Sequence, residues 1–136
     1  MRLSQALTTA NPHLHGNGVD AVTGKSPHEF ASEGAGLVGG PGLAPGLCAG
    51  EHHAMAQATH GSAPDIASEG IANPYAMIMS GKMLFEWLSR KRKEPKAAER
   101  IDRTMERVIA AAKALTPDLD GKASTSEMGD AIVAAL

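Results

Sequence analysis

A chain of 136 residues with a formal net charge of −2 has the length of one domain, enough to enclose a hydrophobic core. Aromatics make up only 3% of it, beside 15 Gly and 8 Pro, so core volume must come from Ala, Leu, Ile, Val and the 7 Met. A single cysteine, Cys48, excludes an intrachain disulfide framework, and no apolar run approaches bilayer-spanning length. No sustained apolar stretch follows Met1, so no secretory signal is predicted, and a reducing, cytoplasmic setting with no membrane association is expected.

Residues 1–33 are polar and aperiodic and read as irregular or disordered. Residues 34–50 carry seven glycines, at 34, 36, 39, 40, 42, 46 and 50. Leu37, Val38, Leu43, Ala44 and Leu47 interleave with them, which suits a buried irregular loop better than a flexible linker. Ala54–Thr59 is short and reads as a buried strand. Next comes His60-Gly61-Ser62-Ala63-Pro64-Asp65-Ile66-Ala67, closed by Gly70-Ile71-Ala72-Asn73-Pro74. Gly61 permits close backbone approach, Ser62 offers a hydroxyl and an N–H, and Pro64 stiffens the turn. The Asp65 carboxylate can accept both hydroxyls of a ribose, so the segment suits a nucleotide better than a reaction centre.

Three helices follow. Asn73 as N-cap with Pro74 at the first helical position opens the first. Its stripe is Met77, Gly81, Leu84 and Leu88, widened by Ile78, Phe85 and Trp87, and it reads as a core helix rather than a cofactor box. Pro95 separates it from the second, predicted over Lys96 to Leu115 from the spacing of Ile101, Met105, Val108, Ala112 and Leu115, and stopped by Pro117. Ser124-x-x-Glu127 is a capping box that starts the third, with Met128, Ala131, Ile132 and Ala135 on one face.

Three other chemistries weigh less. Arg90-Lys91-Arg92-Lys93 lies within residues 82–113, which hold ten Lys/Arg against five Asp/Glu. That excess can attract phosphates, but no aromatic interleaves with it, and cations also belong at a helix C-terminus. His13, His15, His52, His53, His60 and Cys48 match no zinc spacing with a second ligand pair. Ser62 beside His60 lacks a nucleophile elbow, so a catalytic triad is not predicted.

The linked motifs resemble the β-decarboxylating dehydrogenases, the isocitrate, 3-isopropylmalate and tartrate dehydrogenase family. Residues 37–46, Leu-Val-Gly-Gly-Pro-Gly-Leu-Ala-Pro-Gly, look like its glycine-rich segment, and residues 58–67 look like its cofactor loop. Gly70-Ile71-Ala72-Asn73-Pro74 follows in the family's order, and Thr116-Pro117-Asp118-Leu119, Gly121 and Ser124-Thr125-Ser126-Glu127 match its C-terminal end. The likeness covers about residues 34–136. It implies a piece of an α/β parent fold, isopropylmalate dehydrogenase-like, that is itself mostly α-helical with one or two short strands.

The resemblance also implies residue roles. His60, Gly61, Ser62 and Ala63 would hold the adenosine part of the cofactor, Asn73 would contact adenine, and Asp65 would bind the ribose. NADP-dependent members of the isocitrate branch have Lys-Tyr in place of Asp65-Ile66. A 2′-phosphate about 4 Å from the Asp65 carboxylate would meet about 4 kcal/mol of repulsion per charge at intermediate dielectric, so NAD is the expected cofactor. The departures are as informative. The family's metal-binding aspartate pair, for Mg²⁺ or Mn²⁺, aligns with His28 and Ser32, and its glutamate three residues before the loop histidine is Gln57. No catalytic residue and no metal ligand is assigned in this chain.

The expected parent reaction is NAD-dependent oxidation and decarboxylation of a 2-hydroxy acid, with this chain supplying part of the NAD site and no turnover by itself. Residues 1–33 resemble nothing that precedes the match in the family, which is how a truncated or frame-disrupted gene product would look. The alternatives are a non-catalytic nucleotide-binding or subunit-like module, self-associating or paired with a full-length homologue, and a basic helical nucleic-acid-binding protein.

Overall fold

The fold is drawn from a computed structural model that describes residues 14–15, 19–20, 40–92 and 96–136. In chain order the elements are β1 (Leu14–His15), β2 (Val19–Asp20), β3 (Leu47–Ala49), β4 (Ala54–Ala56), α1 (Tyr75–Arg92), α2 (Lys96–Ala111) and α3 (Thr125–Ala135). Short 3₁₀ turns cover Pro41–Leu43, Pro64–Ile66 and Pro117–Leu119. Each strand pair is antiparallel, with Leu14 opposite Asp20 and Cys48 opposite Met55. The described residues are thus mostly helical with two-stranded ladders, as the sequence predicts. Apart from β1 and β2, the expectation of irregularity over 1–33 lies outside the described residues.

The core is formed where the three helices meet. Met105 and Val108 of α2 pack with Met128 and Ile132 of α3, and Tyr75, Ile78 and Met79 of α1 close over them. With so few aromatics, two fully buried methionines supply the bulk. Between α1 and α2, the buried Lys82 ammonium meets Glu86 Oε1 at 2.7 Å and Asp102 Oδ2 at 3.6 Å, which ties the helices on their polar side. At the far end of α3, Arg107 and Thr104 donate to the Ala135 carbonyl, and Arg100 Nη2 donates to the Leu136 carbonyl at 2.9 Å. The cations thereby satisfy the otherwise unpaired carbonyls of that helix end.

The β3–β4 hairpin rests on α1. Its ladder runs on past the strands, with Gln57 N donating to Gly46 O and Thr59 N to Ala44 O. Gly46 is required here, because a Cβ on it would lie 2.4 Å from the Gln57 carbonyl oxygen. The fully buried Ser80 hydroxyl joins the two layers: it accepts from Gly46 N at 3.0 Å and donates to the Ala76 carbonyl at 2.7 Å.

Three local expectations shift. The strand at Ala54–Ala56 exists, but it is a half-exposed hairpin strand with Met55 59% exposed, rather than a buried one. The glycine-rich stretch contributes β3 as well as irregular backbone. Helix α1 buries Ala76 and Ser80 and leaves Met77 and Phe85 exposed, so its inner face is rotated by about one residue from the predicted stripe. Apolar residues occur all round this helix, and periodicity alone fixes the face weakly. Helix α2 ends at Ala111, four residues early. Ala112 adopts φ 52° and donates to the Val108 and Ile109 carbonyls, a left-handed cap made without glycine.

Helix α3 starts as predicted. Ser124 N donates to Glu127 Oε2 at 2.7 Å, and Glu127 N donates back to Ser124 Oγ at 3.2 Å. The Ser124 backbone N–H, and then its hydroxyl, hold the Glu127 carboxyl below its usual 4.5.

Candidate functional site

The segment from Ala58 to Asn73 leaves the hairpin and returns to the start of α1. Ala58 is buried and Thr59 half-buried, and every residue from His60 to Gly70 is exposed. Ala63 at φ 41° and ψ 59° lies in the left-handed region, which turns the chain into the 3₁₀ turn Pro64–Ile66. Ile66 N donates to Ala63 O, Ala67 N to Pro64 O and Glu69 N to Ile66 O, so the middle of the loop is stiffened from within. Ser68 at φ 68° and Gly70 at φ 67° turn it back. The two non-glycine excursions, at Ala63 and Ser68, cost about 1 kcal/mol or more each and mark a conformation imposed by its surroundings.

Those surroundings are the ends of the loop. At the start, Thr59 N donates to Ala44 O. At the end, Thr125 N donates to Gly70 O at 2.7 Å, and the Thr125 hydroxyl donates to Ala72 O. Asn73 then caps α1: its Oδ1 accepts from Tyr75 N at 2.9 Å, with Pro74 at the first helical position. Its Nδ2 donates to Asp118 Oδ2 at 2.8 Å. Thus Asn73 plays the capping part predicted for it and a second part that was not.

The sequence-predicted residues therefore share one segment. His60, Gly61, Ser62, Ala63, Asp65 and Ile66 lie on its exposed outer course, while Asn73 is anchored at its base. Among the described residues, none hydrogen-bonds the side chain of His60, Ser62 or Asp65. Asp118 and Thr125, which hold the base of the loop, carried no local signal of that role, because both act on backbone or side chains at least 45 residues away. Ser62 and His60 form no hydrogen bond with one another that would make a nucleophile and base. Among the described residues, no three His, Cys, Asp or Glu side chains lie close enough to hold a metal ion. Cys48 is an exposed free thiol on β3, and His52 lies 3.9 Å from Glu51 in the hairpin turn. Of the basic run, Arg90 is exposed, and the side chains of residues 91–93 lie outside the described set. No helix among the described residues is long and apolar enough to cross a membrane.

Comparison with known proteins places the chain in a family. The sequence profile of the isocitrate/isopropylmalate dehydrogenases matches residues 30–132. Isocitrate/homoisocitrate dehydrogenase of Thermus thermophilus is 45% identical over 102 residues, which cover 75% of this chain and 29% of that one. A mitochondrial isocitrate dehydrogenase [NAD] catalytic subunit of Arabidopsis thaliana is 46% identical over 99 residues, covering 72% and 25%. The crystal structure of isocitrate dehydrogenase from Methylococcus capsulatus superimposes with a TM-score of 0.71 at 45% identity, over 80% of this chain and 32% of that one. The chain spans about three-tenths of the length of these relatives. Over that span it belongs to the isocitrate/isopropylmalate dehydrogenase family.

Proposed function

We propose that the His60–Asn73 segment is the adenosine side of an NAD site, within a dehydrogenase-like part at residues 34–136 that leaves residues 1–33 outside it. The carrying observation is the combination of a loop anchored at both ends with an outer course whose polar groups are exposed. His60, Gly61, Ser62 and Ala63 offer backbone N–H groups and two side chains to a phosphate or ribose. Asp65 offers a carboxylate to the ribose hydroxyls, Ile66 gives an apolar surface beside it, and Asn73 faces the base. The donor set fits a dinucleotide, and a relative is named as an NAD-dependent isocitrate dehydrogenase.

NAD supplies the hydride acceptor in the whole enzyme, whose reaction is the oxidation and decarboxylation of a 2-hydroxy acid of the isocitrate or isopropylmalate kind. The described residues of this chain bind and orient the far end of that cofactor. Mg²⁺ or Mn²⁺, expected from the resemblance, finds no ligand set among the described residues. The chain alone is therefore a binding part that is completed by a partner such as a full-length homologue.

Isothermal calorimetry with NAD, run with and without a full-length homologue, tests the binding reading. Heat of binding that is lost on Asp65→Ala and His60→Ala supports it; no binding in either arm overturns it. An assay of the pure chain with NAD, Mg²⁺ and isocitrate or isopropylmalate is expected to yield no NADH. Steady NADH formation would overturn the assignment of the chain as a binding part only.

A further inference from the structure

The outer face of the β3–β4 hairpin carries three metal-ligating side chains that the nucleotide reading does not use. Cys48 stands directly opposite Met55 in the ladder, so the two side chains leave the hairpin on the same side. Gly50 N donates to the His53 carbonyl at 2.8 Å. That bond extends the register by a further pair and sets His53 on the same side, two residues before Met55. Burial follows the alternation: Cys48, His53 and Met55 are exposed, while Leu47, Ala54 and Ala56 are half-buried. Directly opposite residues have Cβ atoms about 5 Å apart and diagonal ones about 7–8 Å, spans that a thiol, a thioether and an imidazole can close around one ion. Gly50, the residue facing His53, has no side chain, so the facing strand puts nothing between the imidazole and Cys48. Among the described residues, neither the Cys48 thiol nor the His53 imidazole has a hydrogen-bond or ion-pair partner to give up.

We propose that Cys48, His53 and Met55 form a three-coordinate Cu(I) site on the outer face of the hairpin. It is separate from the His60–Asn73 segment and does not depend on how that segment is read. The donor set decides the metal. A thioether is a soft ligand that suits Cu(I), as do the thiolate and the imidazole. A zinc site wants more nitrogen, thiolate or carboxylate donors, and among the described residues no three His, Cys, Asp or Glu side chains come together. The ligand is the thiolate, so binding releases the thiol proton to solvent and the site weakens as the pH falls. With ligands on both strands, the ion ties β3 to β4.

The test is anaerobic titration of the full chain with Cu(I) in competition with the chromophoric chelator bicinchoninate. The unaltered chain is expected to withdraw one Cu(I) per molecule, and Cys48→Ser to withdraw none. Met55→Leu and His53→Gln are expected to weaken binding by about tenfold or more each, since even changes behind the ligands of a metal site have effects of that size. All three positions are exposed, so the variants should keep the circular dichroism of the parent. His52→Gln, in the turn between the strands, should leave the affinity unchanged. An unaltered chain that leaves all Cu(I) with the chelator overturns the proposal. So does full affinity in either Met55→Leu or His53→Gln, which would reduce the site to a bare thiol or a two-ligand contact. Zn²⁺ that displaces Cu(I) from the chain overturns the choice of metal and with it the role of Met55.

Discussion

Replacing Gly121 by alanine should nearly unfold the chain, although the change adds one methyl group. A Cβ at this position would lie 1.8 Å from the Leu115 carbonyl oxygen, 2.3 Å from its carbon and 2.7 Å from the Leu115 Cβ. A carbon normally keeps about 3.3 Å from such an oxygen, so the two strands of the turn must part by about 1.5 Å. The atoms in the way are mostly backbone and cannot be displaced by a rotamer change. Parting them breaks the bonds from Gly121 N to Thr116 O (3.1 Å) and from Ala123 N to Leu115 O (2.9 Å). Each is worth about 1 kcal/mol net, and the accompanying strain about 1–3 kcal/mol more. The expected loss is therefore about 3–5 kcal/mol, a large share of the stability of a domain this size. Gly129, inside α3, is the internal control: nothing lies within 4 Å of a Cβ built there, so Gly129→Ala should stabilise by about 0.5–1 kcal/mol. Urea unfolding followed by circular dichroism measures both. A Gly121→Ala midpoint within about 1 kcal/mol of the parent would refute the steric argument.

The other predictions concern the core, the layer contact, the helix cap and cofactor choice. Met128→Ala, at a fully buried position, should cost about 2–5 kcal/mol in the same urea assay. Ser80→Ala leaves the Gly46 N–H without its acceptor and should cost about 1–3 kcal/mol, with the loss of protection of that amide visible by hydrogen exchange. Ser124→Ala should cost about 1 kcal/mol. Because the Glu127 carboxyl is held below 4.5 in the folded chain, its contribution is present above the unfolded value and fades as the pH falls through the folded one. Thermal melts of Glu127→Gln should thus fall short of the parent above the usual 4.5 and approach it as the pH falls well below that value. Asp65→Asn should improve NADP binding relative to NAD. Because Asp65 is exposed, the repulsion it removes is about 1 kcal/mol per charge at the dielectric of water, or about fivefold, rather than the larger figure for a half-buried carboxylate.

What could be read from the chain in advance was mostly local. The start of α3 was legible because a capping box is complete within four residues, and the start of α1 because Asn73-Pro74 is. The end of α2 was not, since Ala112 takes a left-handed cap that usually announces itself as glycine. The inner face of α1 was misplaced by a residue because Met77 and Phe85, both apolar, lie outside and the small Ala76 and Ser80 lie within. In the candidate site, the loop's composition pointed to a nucleotide, but its supports did not show. Asp118 and Thr125 look like ordinary turn and helix-start residues, and only folding brings them to Asn73 and Ala72.

The Thr125 grip on the base of the loop also bears on how the molecule is made. The residue that donates to Ala72 is 53 positions downstream, and the one that holds Asn73 is 45. A chain emerging from the ribosome contains the hairpin and α1 sequences well before either support is made. Until then the left-handed turns at Ala63 and Ser68 have nothing to enforce them, and the loop samples other shapes. The loop thus gains both of its supports only once the Pro117 turn and the first residues of α3 are made.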